Sequence, residues 1–257
     1  MKQIANVLPA ERLTRPANCE THGSYISTNI FGTVWTHCPT CESERLAKEK
    51  LEREEFKRKQ LFEEFHRKVG DSGIPERFRS RRFSNFVAST DQQKYVLEFC
   101  KEYAESFDQV LETGRSAIFV GAPGTGKTHL ACAIGMHVMG AYHRTALFST
   151  VMRAVRRVKS SWSRNSLETE TQAIEAMVFP DLLILDEVGV QFGSDSEKMI
   201  LFDVINERYE NRRPTLLMSN LSQDEVVAYV GERIIDRMRE DGGKVIAFTW
   251  DSHRRVK

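Results

Sequence analysis

Residues 121–128, Gly121-Ala122-Pro123-Gly124-Thr125-Gly126-Lys127-Thr128, constrain this chain more than any other stretch. They fit the phosphate-binding pattern G-x-x-x-x-G-K-[ST], whose glycines let backbone N–H groups turn inward around phosphate oxygens. The pattern carries meaning only between a buried strand and a helix. Here residues 116–120 (Ser-Ala-Ile-Phe-Val) form a short apolar run before it, and residues 129–140 read as an apolar helix after it. The helix start adds its partial positive charge at the same place. Lys127 is therefore expected to reach the β- and γ-phosphates of a nucleotide, and Thr128 to hold Mg²⁺.

A second motif follows about sixty residues later. Residues 181–187, Asp-Leu-Leu-Ile-Leu-Asp-Glu, read as a buried parallel strand with two carboxylates at its C-terminal edge, where α/β sheets bind ligands. Asp186 is expected to hold Mg²⁺ and Glu187 to activate the attacking water. Residues 215–219 give a further strand, and Asn220 just past it can hold the water or the γ-phosphate. Strands are also expected at 145–149 and 244–249. Helices are expected at 91–111, 151–163, 194–213 and 231–240, with capping boxes at Ser194/Glu197 and Ser222/Glu225. Strands alternating with helices imply an α/β fold with a parallel five-stranded sheet. In the helix at 91–111, Tyr95, Phe99, Tyr103 and Phe107 recur every fourth residue and read as a core stripe.

Ahead of this body the chain changes character. Residues 1–18 show no period and are expected to be a flexible arm. Cys19, His22, Cys38 and Cys41 then make two ligand pairs, C-x2-H and C-x2-C, that can converge on one tetrahedral Zn²⁺. All four positions are filled, so the site reads as structural. His37 is the competing ligand. The turn-rich segment between the pairs places Tyr25, Ile26, Phe31 and Val34 at hairpin-like positions. A knuckle this small has almost no core, so the ion would supply its folding free energy. Cys100 and Cys132 lie alone in expected helices, as small buried residues.

Residues 42–69 contain no glycine or proline and are dense in charge of both signs. Acid-before-base pairs at i,i+4 (Glu44 with Lys48, Glu49 with Arg53, Glu54 with Arg58, Glu55 with Lys59, Glu63 with Arg67, Glu64 with Lys68) each support a helix by roughly 0.2–0.5 kcal/mol. The expectation is one long helix, roughly 40 Å, either a solvated strut or a partner-binding arm with Phe62, Phe65 and Val69 as its adhesive end. Residues 70–75 break it and mark a domain boundary. The organisation read here is thus an arm at 1–18, knuckle and helix at 19–69, and a nucleotide-binding domain at 70–257.

The 257 residues carry a net charge of only +1, so any nucleic-acid contact has to be a local patch. Two are available. Arg77, Arg79, Arg81 and Arg82 are interleaved with Phe78, Phe83 and Phe86, a pattern better suited to packing the next domain's edge or framing an adenine. Arg153, Arg156, Arg157 and Lys159, with Arg164 nearby, lie on an acid-free helix face suited to phosphates, and Trp162 among them could stack on a base or close a core corner. No apolar N-terminal leader or membrane-length run is present, and five cysteines at these spacings suit a reducing compartment, so a cytoplasmic protein is expected.

Taken together, the Walker A stretch, Leu185-Asp186-Glu187-Val188-Gly189 and Ser219-Asn220 resemble an AAA+ ATPase. Residues 74–78 (Ile-Pro-Glu-Arg-Phe), 83–86 (Phe-Ser-Asn-Phe) and 231–239 (Gly-Glu-Arg-Ile-Ile-Asp-Arg-Met-Arg) resemble the DnaC-like replicative helicase loaders, and the Cys/His knuckle with its long helix is similar to their phage and prophage members. The resemblance implies a P-loop three-layer sandwich with ATP bound between neighbouring subunits of a spiral. It implies an amino-terminal part that grips a hexameric DnaB-type helicase, and an ATPase body that binds single-stranded DNA. Hydrolysis would release the loader. It also implies that Arg237 is an arginine finger acting on a neighbour's nucleotide, with Arg233 one turn earlier as the alternative. The chain ends soon after the fifth strand, leaving no room for a helical lid, as in the DnaC-like group; a weak, partner-stimulated ATPase follows. Two other readings share this body: an IstB-type transposition helper acting on duplex DNA, and a non-hydrolysing adaptor shaped by ATP. The knuckle and long helix weigh against the first, and the Asp186–Glu187 pair against the second.

Overall fold

The computed structural model describes residues 13–30, 32–189 and 194–253. The chain divides into two compact units, residues 1–63 and 64–257. The expected arm lies outside the description up to residue 12; Phe31 and the basic tail from residue 254 are also outside it.

In the first unit, β1 (Thr14–Cys19), β2 (Gly23–Ile30) and β3 (Val34–Trp35) form an antiparallel sheet in the order β1-β2-β3. The reading of residues up to 18 as an unstructured arm is therefore corrected: Thr14 to Asn18 pair with Thr28 to Ser24, backbone to backbone. Arg15 stacks its guanidinium on Trp35, 4.1 Å from the ring centre. Such pairing needs no apolar period in the strand itself. Helix α1 (Pro39–Asp71) then runs for 33 residues, about 50 Å. Of the six expected pairs along it, Glu64 with Lys68 closes at 2.8 Å. Glu49 turns instead to Arg45, at 2.7 Å, and Glu44 leaves the helix surface for His22.

The last two turns of α1 belong to the second unit. Phe65 packs on its core and Val69 is buried within it, so these residues are not the adhesive end expected from the sequence. Ser72 and Ile74 are buried too, and Ser72 accepts a hydrogen bond from the Phe148 N–H. The division between units thus lies ahead of the break at Gly70.

The second unit is a three-layer sandwich. Its helices are α2 (Asp91–Glu105), α3 (Phe107–Thr113), α4 (Lys127–Ala141), α5 (Val151–Ser161), α6 (Glu170–Val178), α7 (Asp195–Glu210), α8 (Gln223–Val230) and α9 (Glu232–Arg239). Its strands are β4 (Ala117–Gly121), β5 (Ala146–Thr150), β6 (Leu182–Val188), β7 (Thr215–Ser219) and β8 (Lys244–Phe248), all parallel, in the order β5-β6-β7-β4-β8. Successive strand residues sort to opposite faces. Phe119, Ile184, Met218 and Ile246 meet α2, α3 and α4 on one side; Ile118, Leu183, Leu185 and Leu217 meet α5 to α9 on the other. Among the described residues no helix follows β8, and none is long and apolar enough to cross a membrane.

Four local expectations change. The single helix at 91–111 is two, broken at Ser106. Phe99, Tyr103 and Phe107 are buried as the stripe predicts, but Tyr95 is exposed. Helix α6 has no counterpart in the sequence reading; Ala173, Met177 and Val178 are its buried residues, too few for a clear period. Ser194 caps α7 with its backbone only, while Glu197 turns to Lys159 at 3.8 Å, so no capping box forms there. The Ser222 box does form.

One buried cation ties the back of this layer together. The guanidinium of Arg208 on α7 is fully buried and donates to the carbonyls of Met177, Val178, Pro180, Asp181 and Pro214 and to the Thr215 hydroxyl. Burial pulls it down to about 9, so it is still charged at neutral pH. It satisfies the C-terminal carbonyls of α6 and anchors the starts of β6 and β7. Arg208→Leu, which leaves those acceptors buried without donors, is expected to cost about 3–5 kcal/mol in urea unfolding.

Candidate functional site

Because the strands are parallel, the C-terminal ends of β4, β6 and β7 open on one edge of the sheet. Strand β7 lies between β4 and β6. Asn220, just past β7, therefore falls between the Walker A loop after β4 and the carboxylates at the end of β6. These residues line one cleft of about 620 Å³: Gly124 to Thr128 and Pro123 from the loop, Asp186, Glu187 and Asn220. The cleft holds these sequence-predicted nucleotide residues together, while Gly121 and Ala122, at the start of the loop, are not among its lining.

The loop is set by two glycines with left-handed backbone, Gly124 at φ 84° and Gly126 at φ 101°. A side chain at Gly126 would meet the ring of Phe86 at 2.6 Å. Thr125 is buried and donates its hydroxyl to the Ala122 carbonyl at 2.9 Å. Lys127 is buried, its ammonium donating to the carbonyls of Gly121 and Ala122 at 2.5 and 2.9 Å.

Thr128 and Asp186 meet directly, hydroxyl to carboxylate at 3.0 Å. The other Asp186 oxygen accepts the Glu187 N–H at 2.8 Å. Burial raises the Asp186 carboxyl above its ordinary range, against the Glu187 N–H, the Thr128 hydroxyl and the Lys127 and Arg153 charges, which pull it down. A half-desolvated carboxylate beside a hydroxyl is an oxygen donor set that fits Mg²⁺.

Glu187 is aimed by a bulge. Leu185 pairs with Leu217 and Val188 with Ser219, so Asp186 and Glu187 bow out of the ladder with β7, while Asp186 keeps its pairing with Thr150 on β5; Glu187 has a left-handed backbone at φ 64°. The Ser219 hydroxyl closes the bulge, donating to the Val188 carbonyl at 2.7 Å and accepting from the Leu221 N–H at 3.1 Å. It thereby fixes Glu187 and Asn220 relative to each other. A strand of apolar residues ending in Asp-Glu carries no sign of this bulge.

The far wall comes from the segment before α2. Arg77, Phe78, Arg81, Asn85, Phe86 and Val87 line it, while Arg79 and Arg82 bond to backbone carbonyls of the same segment. Phe86 packs edge-on against His129. Trp250, Asp251 and His253 also line the cleft, which the sequence reading did not foresee. Arg233 and Arg237 do not line it. Arg233 is exposed; Arg237 lies over the rings of Phe202 and Tyr209 at 5.5 and 5.3 Å.

The basic face of α5 is not free of acids. Glu168 takes Arg157 in a bidentate pair at 2.5–3.1 Å, and Glu197 takes Lys159. Arg153 lies over Phe148. Arg156 is exposed, and so is Trp162, which closes no core corner.

In the first unit Cys19, His22, Cys38 and Cys41 converge, with His37 outside the cluster. Their ligand atoms all lie within 4.8 Å of one another, with Cys19 to Cys41 at 3.5 Å and His22 Nδ1 to the three sulfurs at 3.2, 3.7 and 3.8 Å. Those separations are close to the edges of a tetrahedron with metal–ligand bonds of about 2.0–2.3 Å, so the donor set fits Zn²⁺. Backbone N–H groups of His22 and Cys41 pull the Cys19 and Cys38 thiols down, whereas hydrogen bonding to Cys19 pushes Cys41 up to about 12. Glu44 accepts His22 Nε2–H at 3.2 Å, fixing Nδ1 as the free ligand atom.

Asp186→Asn is expected to raise the thermal midpoint of the nucleotide-free protein at neutral pH. Because its pKa is raised on folding, the protonated carboxyl costs nothing at low pH, and the penalty for the carboxylate grows as pH climbs through the raised value. The midpoints of variant and parent should therefore converge on acidification in scanning fluorimetry.

The sequence profile of IstB-like ATP-binding proteins matches residues 45–255. The replicative helicase loader DnaC of Buchnera aphidicola subsp. Acyrthosiphon pisum is 36% identical over 214 residues, 83% of each chain. An uncharacterised Escherichia coli K12 protein, YdaV, is 29% identical over 256 residues, 99% of this chain and 96% of its own. The crystal structure of a DnaC helicase loader superposes with a TM-score of 0.61 at 21% identity, covering 67% of this chain and 99% of that one; this likeness bears on the fold.

Proposed function

The chain belongs to the IstB/DnaC-like family of AAA+ ATP-binding proteins, and from that premise we propose that it is an ATP-dependent loader of a hexameric replicative helicase onto single-stranded DNA. The observation that carries the reading is the convergence of Lys127, Thr128, Asp186, Glu187 and Asn220 on one cleft, in a chain similar over 83% of its length to a protein named a helicase loader.

In this reading the loop N–H groups and Lys127 hold the phosphates. Bound Mg²⁺ supplies charge neutralisation at the transferring phosphoryl group, and Thr128 with Asp186 would hold it. Glu187 accepts the proton of the attacking water, and Asn220 orients that water. Arg237 stands outside its own cleft, over the rings of Phe202 and Tyr209. In this reading it acts on a neighbour's γ-phosphate, so that hydrolysis requires self-association in a spiral. Hydrolysis is accordingly weak in isolated copies.

The zinc knuckle and the exposed part of α1 take the helicase-binding role. Leu46, Leu51, Phe56 and Leu61 are exposed along α1, large apolar side chains that the first unit does not cover. The nucleotide machinery lies wholly in the second unit. For DNA, Arg153 and Arg156 are the α5 positions without a carboxylate partner among the described residues; Arg157 and Lys159 contribute only if their acids are displaced.

Two measurements test this. Arg237→Ala and Glu187→Gln should each bind ATP and each lose turnover by at least tenfold. Mixed together they should regain part of it, since one supplies an intact water-activating site and the other an intact arginine. Failure of the mixture to recover would remove the trans arginine. Separately, metal analysis should find one zinc per chain. Removal of the zinc by chelation, followed by return of Mg²⁺, should abolish co-purification with a DnaB-type helicase while leaving ATP binding intact. Binding to a transposase in place of the helicase would favour the IstB-type reading.

A further inference from the structure

After β8 the chain turns back over the Walker A loop. The Trp250 indole N–H donates to the Thr125 carbonyl at 2.9 Å, and the His253 backbone N–H donates to the Gly124 carbonyl at 3.1 Å. Trp250 is half-buried, packs on the core, and lies against Phe248 with ring centres 5.0 Å apart and planes tilted by 42°. The turn is anchored on both sides. Thr249 donates its hydroxyl to Gln92 at 2.6 Å, and the Phe248 carbonyl lies so near Gly121 that a Cβ there would come within 2.2 Å of it.

These two bonds matter because of peptide geometry. In a trans peptide the C=O and the following N–H point in opposite directions. Holding the Thr125 carbonyl toward Trp250 turns the Gly126 N–H the other way; holding the Gly124 carbonyl toward His253 does the same for the Thr125 N–H. Gly124 and Gly126 are in left-handed conformations, where glycine backbone rotates with little steric resistance. Left alone, the crown of the loop could flip its peptides and present carbonyl oxygens to an anion. The fixed donors from Trp250 and His253 prevent that.

We propose that the segment after the last strand is a built part of the nucleotide site, with Trp250 as a positioning residue that keeps the crown of the Walker A loop in its anion-accepting orientation. The inference rests on the reading of the cleft as an ATP site. It assigns to residues 250–253 part of the wall of that cleft, which Trp250, Asp251 and His253 line together with the Walker A loop.

The test is titration of the full chain with a fluorescent ATP analogue and Mg²⁺, alongside unfolding of the nucleotide-free protein. Trp250→Phe keeps the ring and deletes the donor; it should weaken binding about fivefold, the worth of one such hydrogen bond, without lowering the nucleotide-free midpoint by more than about 2 °C. His253→Pro deletes the other donor at an exposed position and should weaken binding by a similar factor. Tyr95→Phe, at an exposed position of the second unit outside the cleft, should change nothing. Unaltered affinity in Trp250→Phe overturns the proposal. If that variant instead loses stability and affinity together, His253→Pro decides, and its binding as tightly as the parent overturns the proposal. A parent protein that binds no analogue removes the ATP-site reading itself, and this inference with it.

Discussion

The 3.0 Å contact between the Thr128 hydroxyl and the Asp186 carboxylate joins two halves of the chain that are 58 residues apart in sequence. It exists because β7 is inserted between β4 and β6, which sets the Walker A loop and the carboxylate strand one strand's width apart on the same edge. Every other functional placement follows from that spacing. Asn220 can lie between the two motifs only on the inserted strand, and the Ser219 hydroxyl can tie the bulge at Glu187 only from there.

Two buried charges in this domain have opposite meanings. Arg208 is fully buried but meets six acceptors, so its burial secures helix α6 and two strand starts. Asp186 is buried more than its hydrogen bonds compensate, so its carboxyl is raised. Unrelieved burial of a carboxylate is a cost that a bound cation removes. The left-handed backbone at Glu187 adds a second local strain at the same place. Stability is concentrated at the N-terminal ends of the strands and given up at their C-terminal ends, where the cleft lies.

The first unit follows another logic. A sheet of two short hairpin arms and a two-residue strand offers little core; among its described residues Ile26 and Val34 are exposed, and Ser27 and Cys38 are the buried ones. Four ligand atoms at tetrahedral separations supply the organisation that apolar packing lacks. Glu44 couples that centre to α1, because a helix residue one turn past Cys41 holds the imidazole of His22. An acid that reads as half of a surface ion pair thus becomes part of the metal site.

Much of the site was legible in order along the chain. The Walker A loop, Asp186, Glu187, Asn220, the Cys/His pairs and all five parallel strands are local signals: glycine spacing, apolar runs of strand length, and ligand pairs separated by two residues. These depend on chemistry within a few residues and so survive in one dimension. What the tertiary structure alone decided are the long-range pairings. The α5 face looked acid-free until Glu168 and Glu197 met it; Phe65 and Val69 looked adhesive until the core took them; the residues after the last strand carry no motif, and only the fold brings Trp250 to the loop. Hydrogen bonds and ion pairs between distant residues leave no period or spacing in the sequence, because their partners are chosen by the packing of the sheet and not by neighbours in the chain.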